Sequence, residues 1–176
     1  MKILDFPELC QTYEYDCGAT ALEAVFIYYG IEIKEGLIIN QAKTSKSRGT
    51  SVKHIEITAK KYGFKVDSKE IDIPDIKKYI DKKIPVILLL QAWKGRKNLD
   101  WKKDWDDGHY VVAIGYDKEK IYFEDPYTFE RTFLKFEELK KRWHGGFAKG
   151  KKYINHGIAI FGKTPKFNSK KRIHMN

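Results

Sequence analysis

Cysteine, proline and long apolar runs are all scarce in this 176-residue sequence. The two cysteines, Cys10 and Cys17, stand only seven positions apart. They cannot close a stabilising loop of any size, so a disulfide framework is excluded and a reducing compartment is expected. The longest apolar run, IPVILLL at Ile84 to Leu90, falls far short of the roughly 20 residues that span a bilayer, and it reads as a buried strand. The opening MKILDFPELC lacks the apolar core of a secretory signal. Histidine and cysteine never pair at zinc-motif spacing and no Walker-type loop is present, so no metal and no other cofactor is expected. These absences point to a soluble cytoplasmic protein without membrane spans. Its oligomeric state is left open.

Acidic residues almost vanish from the last quarter. Residues 135–176 carry 12 Lys+Arg against 2 Asp+Glu, a net of +10, while residues 1–90 and 91–134 stand at +1 and −1. A basic end can attract nucleic acid, acidic lipid or an acidic substrate. No folded base-reading signature accompanies it, so nucleic acid is not the expected partner, and residues 166–176 read as a flexible, solvated basic tail.

Hydrophobic residues make up 42% of the chain, enough at this length for one core without staples. The expected organisation is a single domain over residues 1–165 with two lobes, roughly 1–83 helical and 84–165 mainly strands. From Cys17 to Tyr29 the apolar positions Ala21, Leu22, Val25, Phe26 and Tyr29 form one helical stripe, closed by Gly30. A short helix is predicted over 36–43. A third, capped by Thr50 or Ser51, runs to about Tyr62, and a fourth runs from Pro74 to about Lys82. FKVDSKEI reads as a short strand between the last two. Later, PVILLLQAW, HYVVAIGYD, KIYFEDP, RTFLKF and YINHGIAIFG read as strands, with a hairpin turn near Asp117 to Lys120 and a short helix at EELKKRW. Helices first and antiparallel strands afterwards predict an α+β fold, the helical half packed on the sheet.

Cys17 heads the first helix, where the dipole and free backbone N–H groups stabilise a thiolate. Read alone, such a cysteine is more often buried filler. A nucleophilic cysteine needs a base, and there are five histidines: His54, His109, His144, His156 and His174. His109 differs from the others because it opens a strand directly after DDG, where a rigid scaffold can aim it into a cleft. If the two strands around Asp117 to Lys120 pair, Asp125 reaches the same open end as His109 and can orient the imidazole. Gln11, six residues before Cys17, can supply an amide donor to an oxyanion beside the Cys17 N–H. Each residue has a plainer reading, as a strand-end, turn or loop polar residue. Together they form a set of nucleophile, base, orienter and oxyanion donor.

That set resembles the papain-like cysteine peptidases. More narrowly, QTYEYDCGATALEAVFIYYG, RGTSVKHIEITAKKYGF, PVILLL, GHYVVAIGYDKEKIYFEDP and FEELKKRWHGG resemble the bacteriocin-processing, double-glycine-leader peptidase family, in register from about Glu8 to Phe161. The resemblance implies a papain-like fold and a stand-alone cysteine peptidase acting on a peptide or protein. It places the cysteine at Cys17, the histidine at His109, the aspartate at Asp125 and the glutamine at Gln11. Transporters of that family continue into membrane spans and an ATPase, which this sequence does not show, so a separate export transporter is the expected partner. An amidase, an acyl transferase using the same residues, or a leader-binding module without catalysis are the alternative readings. The long charged loop before His109, with Trp93, Trp101 and Trp105, either shapes a substrate groove or packs locally.

Overall fold

The computed structural model describes residues 1–93, 95, 99–147 and 150–175. In chain order its elements are β1 (Lys2–Ile3), α1 (Cys17–Tyr28), α2 (Glu35–Gln41), α3 (Val52–Lys61), β2 (Lys65–Glu70), α4 (Ile73–Asp81) and β3 (Val86–Gln91). There follow β4 (Gly108–Tyr116), β5 (Lys120–Glu124), β6 (Thr132–Lys135), α5 (Phe136–Arg142), β7 (His144–Phe147), β8 (Lys151–Ile154) and β9 (His156–Phe161). The main sheet runs β2-β9-β3-β4-β5-β6, with β1 added on β4, and its pairs are antiparallel. This is the expected α+β architecture. The front half contributes β2, which pairs along its whole length with β9.

Helix α1 sits on β4, flanked by α2 and α3. It is buried nearly all round rather than along one stripe, with Gly18, Ala19, Thr20, Ala21 and Ala24 buried as well as Leu22, Val25, Phe26 and Tyr28. A Cβ at Gly18 would lie 2.9 Å from both the Thr50 Cβ and the Tyr110 ring. The glycine after Cys17 thus serves close packing of the helix start. Gly18→Ala is expected to cost about 1–3 kcal/mol through overpacking, seen as a lower urea midpoint with an unchanged m-value.

Ser51, rather than Thr50, caps α3, accepting from the His54 N–H at 3.2 Å. Helix α4 begins one residue before Pro74, behind an Asp72–Asp75 capping box. All six residues of β3 are buried, as expected of a strand covered on both faces. β3 begins at Val86 opposite Ala113, and β1 pairs farther along β4, opposite Gly115 and Tyr116. Gly115 is needed there, since a Cβ would come within 2.6 Å of the Lys2 carbonyl oxygen. The strand expected across YINHGIAIFG is broken by Asn155, whose φ of 46° turns the chain. Its first part becomes β8, which forms a separate two-stranded ribbon with β7, and its second becomes β9. After β9, the backbone N–H groups of Lys166 and Phe167 donate to the Tyr28 carbonyl, and that of Ser169 to Asp5. Among the described residues no helix is long and apolar enough to cross a membrane.

Candidate active site

Strand β4 carries the base candidate, and its partner directly follows β5. Val112 faces Glu124 across the β4–β5 ladder, so the next step sets Asp125 opposite Val111, two residues from His109 on the same face. The His109 Nε2 lies 2.7 Å from Asp125 Oδ1, with both side chains buried. This is the contact that the hairpin reading anticipates. Asp125 is itself held by three further donors. The Tyr127 N–H reaches Oδ1 at 3.0 Å, and the Trp93 indole N–H and Thr132 hydroxyl each reach Oδ2 at 3.1 Å. Burial alone would raise the Asp125 pKa, but His109 and these donors outweigh it and hold the carboxyl below its usual range.

With Nε2 committed to Asp125, Nδ1 is the second ring nitrogen, and the Cys17 side chain is among the groups that favour a proton on His109. Burial opposes a charged imidazole, yet Asp125 and Cys17 together raise the His109 pKa from 6.5 to about 9. Gln91, the last residue of β3, is fully buried. Its amide donates to the His144 carbonyl at 3.0 Å and accepts from the Asp107 N–H at 2.9 Å. His109 itself stands opposite Leu90.

Cys17 is the first residue of α1. Asp16 precedes it but makes no side-chain cap, turning its carboxylate back to the Tyr13 N–H at 3.2 and 3.3 Å. The Thr20 N–H is taken by the Asp16 carbonyl at 2.9 Å, and no Asp16 side-chain cap covers the N–H groups before it. Burial raises the Asp16 pKa, with Glu35 adding to it against the Tyr13 N–H. Gln11 is brought to the same end of the molecule: its backbone N–H donates to the Pro126 carbonyl at 2.7 Å, one residue past Asp125. One N–H of its side-chain amide goes to the Tyr13 carbonyl at 2.7 Å, leaving a second to give. The cleft at Cys17 has a volume of about 220 Å³ and is walled by Glu14, Tyr15, Arg48, Leu89 and Tyr110.

Residues 5–149 match the family model described as Peptidase C39 family. The chain belongs to the Peptidase C39 family. Among solved structures, it resembles the peptidase domain of Streptococcus ComA, a bi-functional ABC transporter involved in quorum sensing, at 25% identity and a TM-score of 0.62, over 87% of this chain and 94% of that one. It also resembles a double glycine motif protease from an AMS/PCAT transporter, solved with its leader peptide, at 18% identity and a TM-score of 0.64, over 90% and 93% of the two chains. A Bacillus anthracis protein described as a C39-like peptidase aligns at 20% identity and a TM-score of 0.69, over 94% and 98%. The C39 papain-like fold is thus that of this chain. Comparison with curated proteins finds no match.

Three further histidines of this C39 chain, His54, His144 and His156, sit in structural roles. His54 joins the α3 cap through Ser51. His144 bonds the Asp104 carbonyl at 2.6 Å and lies against Trp105, and His156 bonds Ser68. Of the three loop tryptophans, two pack under cations, Trp101 beneath Arg142 and Trp105 beneath Lys152. Trp93 instead bonds Asp125 and stacks on Tyr127 with centroids 4.5 Å apart. Its part in the site was not predicted, and the only sequence signal is an aromatic just after the β3 run. Residues 94 and 96–98 of that loop lie outside the described residues, as does any groove they would form.

Proposed function

We propose that this C39 chain is a cysteine peptidase in which Cys17, His109, Asp125 and Gln11 act as nucleophile, base, orienter and oxyanion donor. The observation that carries the reading is the 2.7 Å His109–Asp125 bond, with Cys17, at the head of a buried helix, among the groups that favour a proton on His109. The Cys17 thiolate attacks the scissile carbonyl carbon, and the oxygen takes the negative charge. The Cys17 N–H and the second amide N–H of Gln11 stabilise that oxyanion. The C–N bond breaks as the His109 imidazolium gives its proton to the leaving amine. A thioester remains on Cys17. Neutral His109 then takes a proton from water, the hydroxide adds to the thioester, and the C–S bond breaks to release the carboxylic acid. Asp125 holds the imidazole in one orientation throughout.

The substrate we propose is a leader peptide ending in a double glycine, cleaved after that pair, with a separate export transporter receiving the product. The support is family membership together with neighbours that are transporter peptidase domains, one of them solved with a leader peptide. The test is hydrolysis of a synthetic double-glycine leader peptide in water enriched in oxygen-18. A peptidase places one heavy oxygen in the new carboxylate, and Cys17→Ala places none. An intact peptide with measurable binding would support the non-catalytic module, and an adduct with an added amine would support the transferase.

A further inference from the structure

Two adjacent residue pairs link β5 to the start of β6. Asp125 bonds Thr132, and this pair serves His109. Glu124 bonds Arg131, and this pair serves a different segment. Glu124 is 2% exposed, and its Oε1 accepts from the Leu9 N–H at 2.6 Å. The Arg131 guanidinium donates to the carbonyls of Phe6 and Pro7 and pairs with Glu8 at 3.2 Å. Residues 6–9 are thereby fastened to the sheet at four consecutive positions. Two residues later, the Gln11 N–H reaches the Pro126 carbonyl. Among the described residues no strand pairing holds this segment; after β1 ends at Ile3 its bonds are from Leu4 to the Ile114 carbonyl, from Ser169 to Asp5, and to this clamp.

The geometry points to Glu124 and Arg131 as positioning residues for Gln11, so that one short stretch, Glu124 to Thr132, aligns both the base and the oxyanion donor. A planar guanidinium with fixed donors suits this task, since it holds two carbonyls and two carboxylates at defined angles. The inference rests on Gln11 being the oxyanion donor, as proposed above. Burial, opposed by the Leu9 N–H and Arg131, raises the Glu124 pKa to about 7, so at pH 8 the carboxylate is charged.

Two probes separate positioning of Gln11 from general damage. Alkylation of Cys17 by iodoacetamide needs the thiolate and His109 but no oxyanion donor. Inhibition by a peptide aldehyde ending in Gly-glycinal forms a tetrahedral adduct whose oxygen needs the donor. At pH 8, Arg131→Ala and the milder Glu124→Gln should alkylate at the wild-type rate. Both should bind the aldehyde about 10–100-fold more weakly and lose kcat by a similar factor with little change in KM. Arg131→Lys, which keeps the charge but not the fork, should not restore the affinity. Loss of alkylation together with aldehyde binding in both variants would overturn the inference, because the clamp would then support the whole site. Unchanged aldehyde affinity would also overturn it. Gln11→Ala tells the two failures apart. If it weakens the aldehyde and the clamp variants do not, only the positioning role falls. If it leaves the aldehyde bound as tightly as wild type, the oxyanion assignment falls with it.

Discussion

His109→Ala is expected to lower kcat/KM for a double-glycine leader peptide by about 10³-fold or more, with the protein still folded. The imidazole is the base in one half-reaction and the acid in the other, so nothing replaces it. The fold survives because the Asp125 carboxylate keeps its donors from Trp93, Tyr127 and Thr132. The same residue sets the alkaline limit of activity. Its pKa is raised from 6.5 to about 9, so the imidazolium that protonates the leaving amine persists through neutral pH and is lost as pH passes about 9. The stability it contributes is fully present below 6.5 and is lost on the same rise. A pH profile of kcat/KM should therefore fall on its alkaline side near 9, and urea midpoints of wild type and variant should converge there.

Asp125→Ala has the second large effect, and its comparison with Asp125→Asn carries the argument. Alanine removes the acceptor of four donors at once and should lower kcat by about 10³-fold. Asparagine must aim its amide N–H groups at one of two donor pairs. Facing His109 and Tyr127, it would oppose a backbone N–H that cannot turn away. Facing Trp93 and Thr132, it opposes only an indole on a half-exposed side chain and a hydroxyl that can rotate to accept. The second choice leaves the asparagine oxygen on the His109 Nε2–H and keeps the working tautomer. Asp125→Asn should thus lose on the order of tenfold, the cost of about one pKa unit of imidazolium stabilisation. In both variants the alkaline limb should move to lower pH, because the carboxylate no longer offsets the burial of His109. Equal losses in the two variants would mean that Asp125 does not act by orienting the imidazole.

Local chemistry made much of this arrangement legible. The apolar run after Cys17, the serine before Val52, and the polar turn at Asp117 to Lys120 announce α1, α3 and the β4–β5 hairpin, and the hairpin alone brings Asp125 to His109. What stayed hidden depends on distant partners. The two-residue β1 has no period to read and exists because β4 outruns β3. Strand β7 contains two glycines and no apolar alternation, and β8 is separated from β9 only by a left-handed asparagine. The Glu124–Arg131 clamp joins segments more than 100 residues apart, and nothing near Leu9 or Pro7 marks them as its partners. Trp93 reads as a packing aromatic until the fold sets its N–H on Asp125.

The most direct test is the rate of Cys17 alkylation by iodoacetamide from pH 5 to 9, in a Cys10→Ser background, with and without His109. At pH 6 an unassisted thiol, with a pKa of about 8.5, is almost wholly protonated and reacts slowly. The thiolate–imidazolium pair predicts rapid labelling at that pH, lost in His109→Ala. Labelling that instead follows an ordinary thiol titration and is the same in both proteins would contradict the pair, and with it the peptidase mechanism.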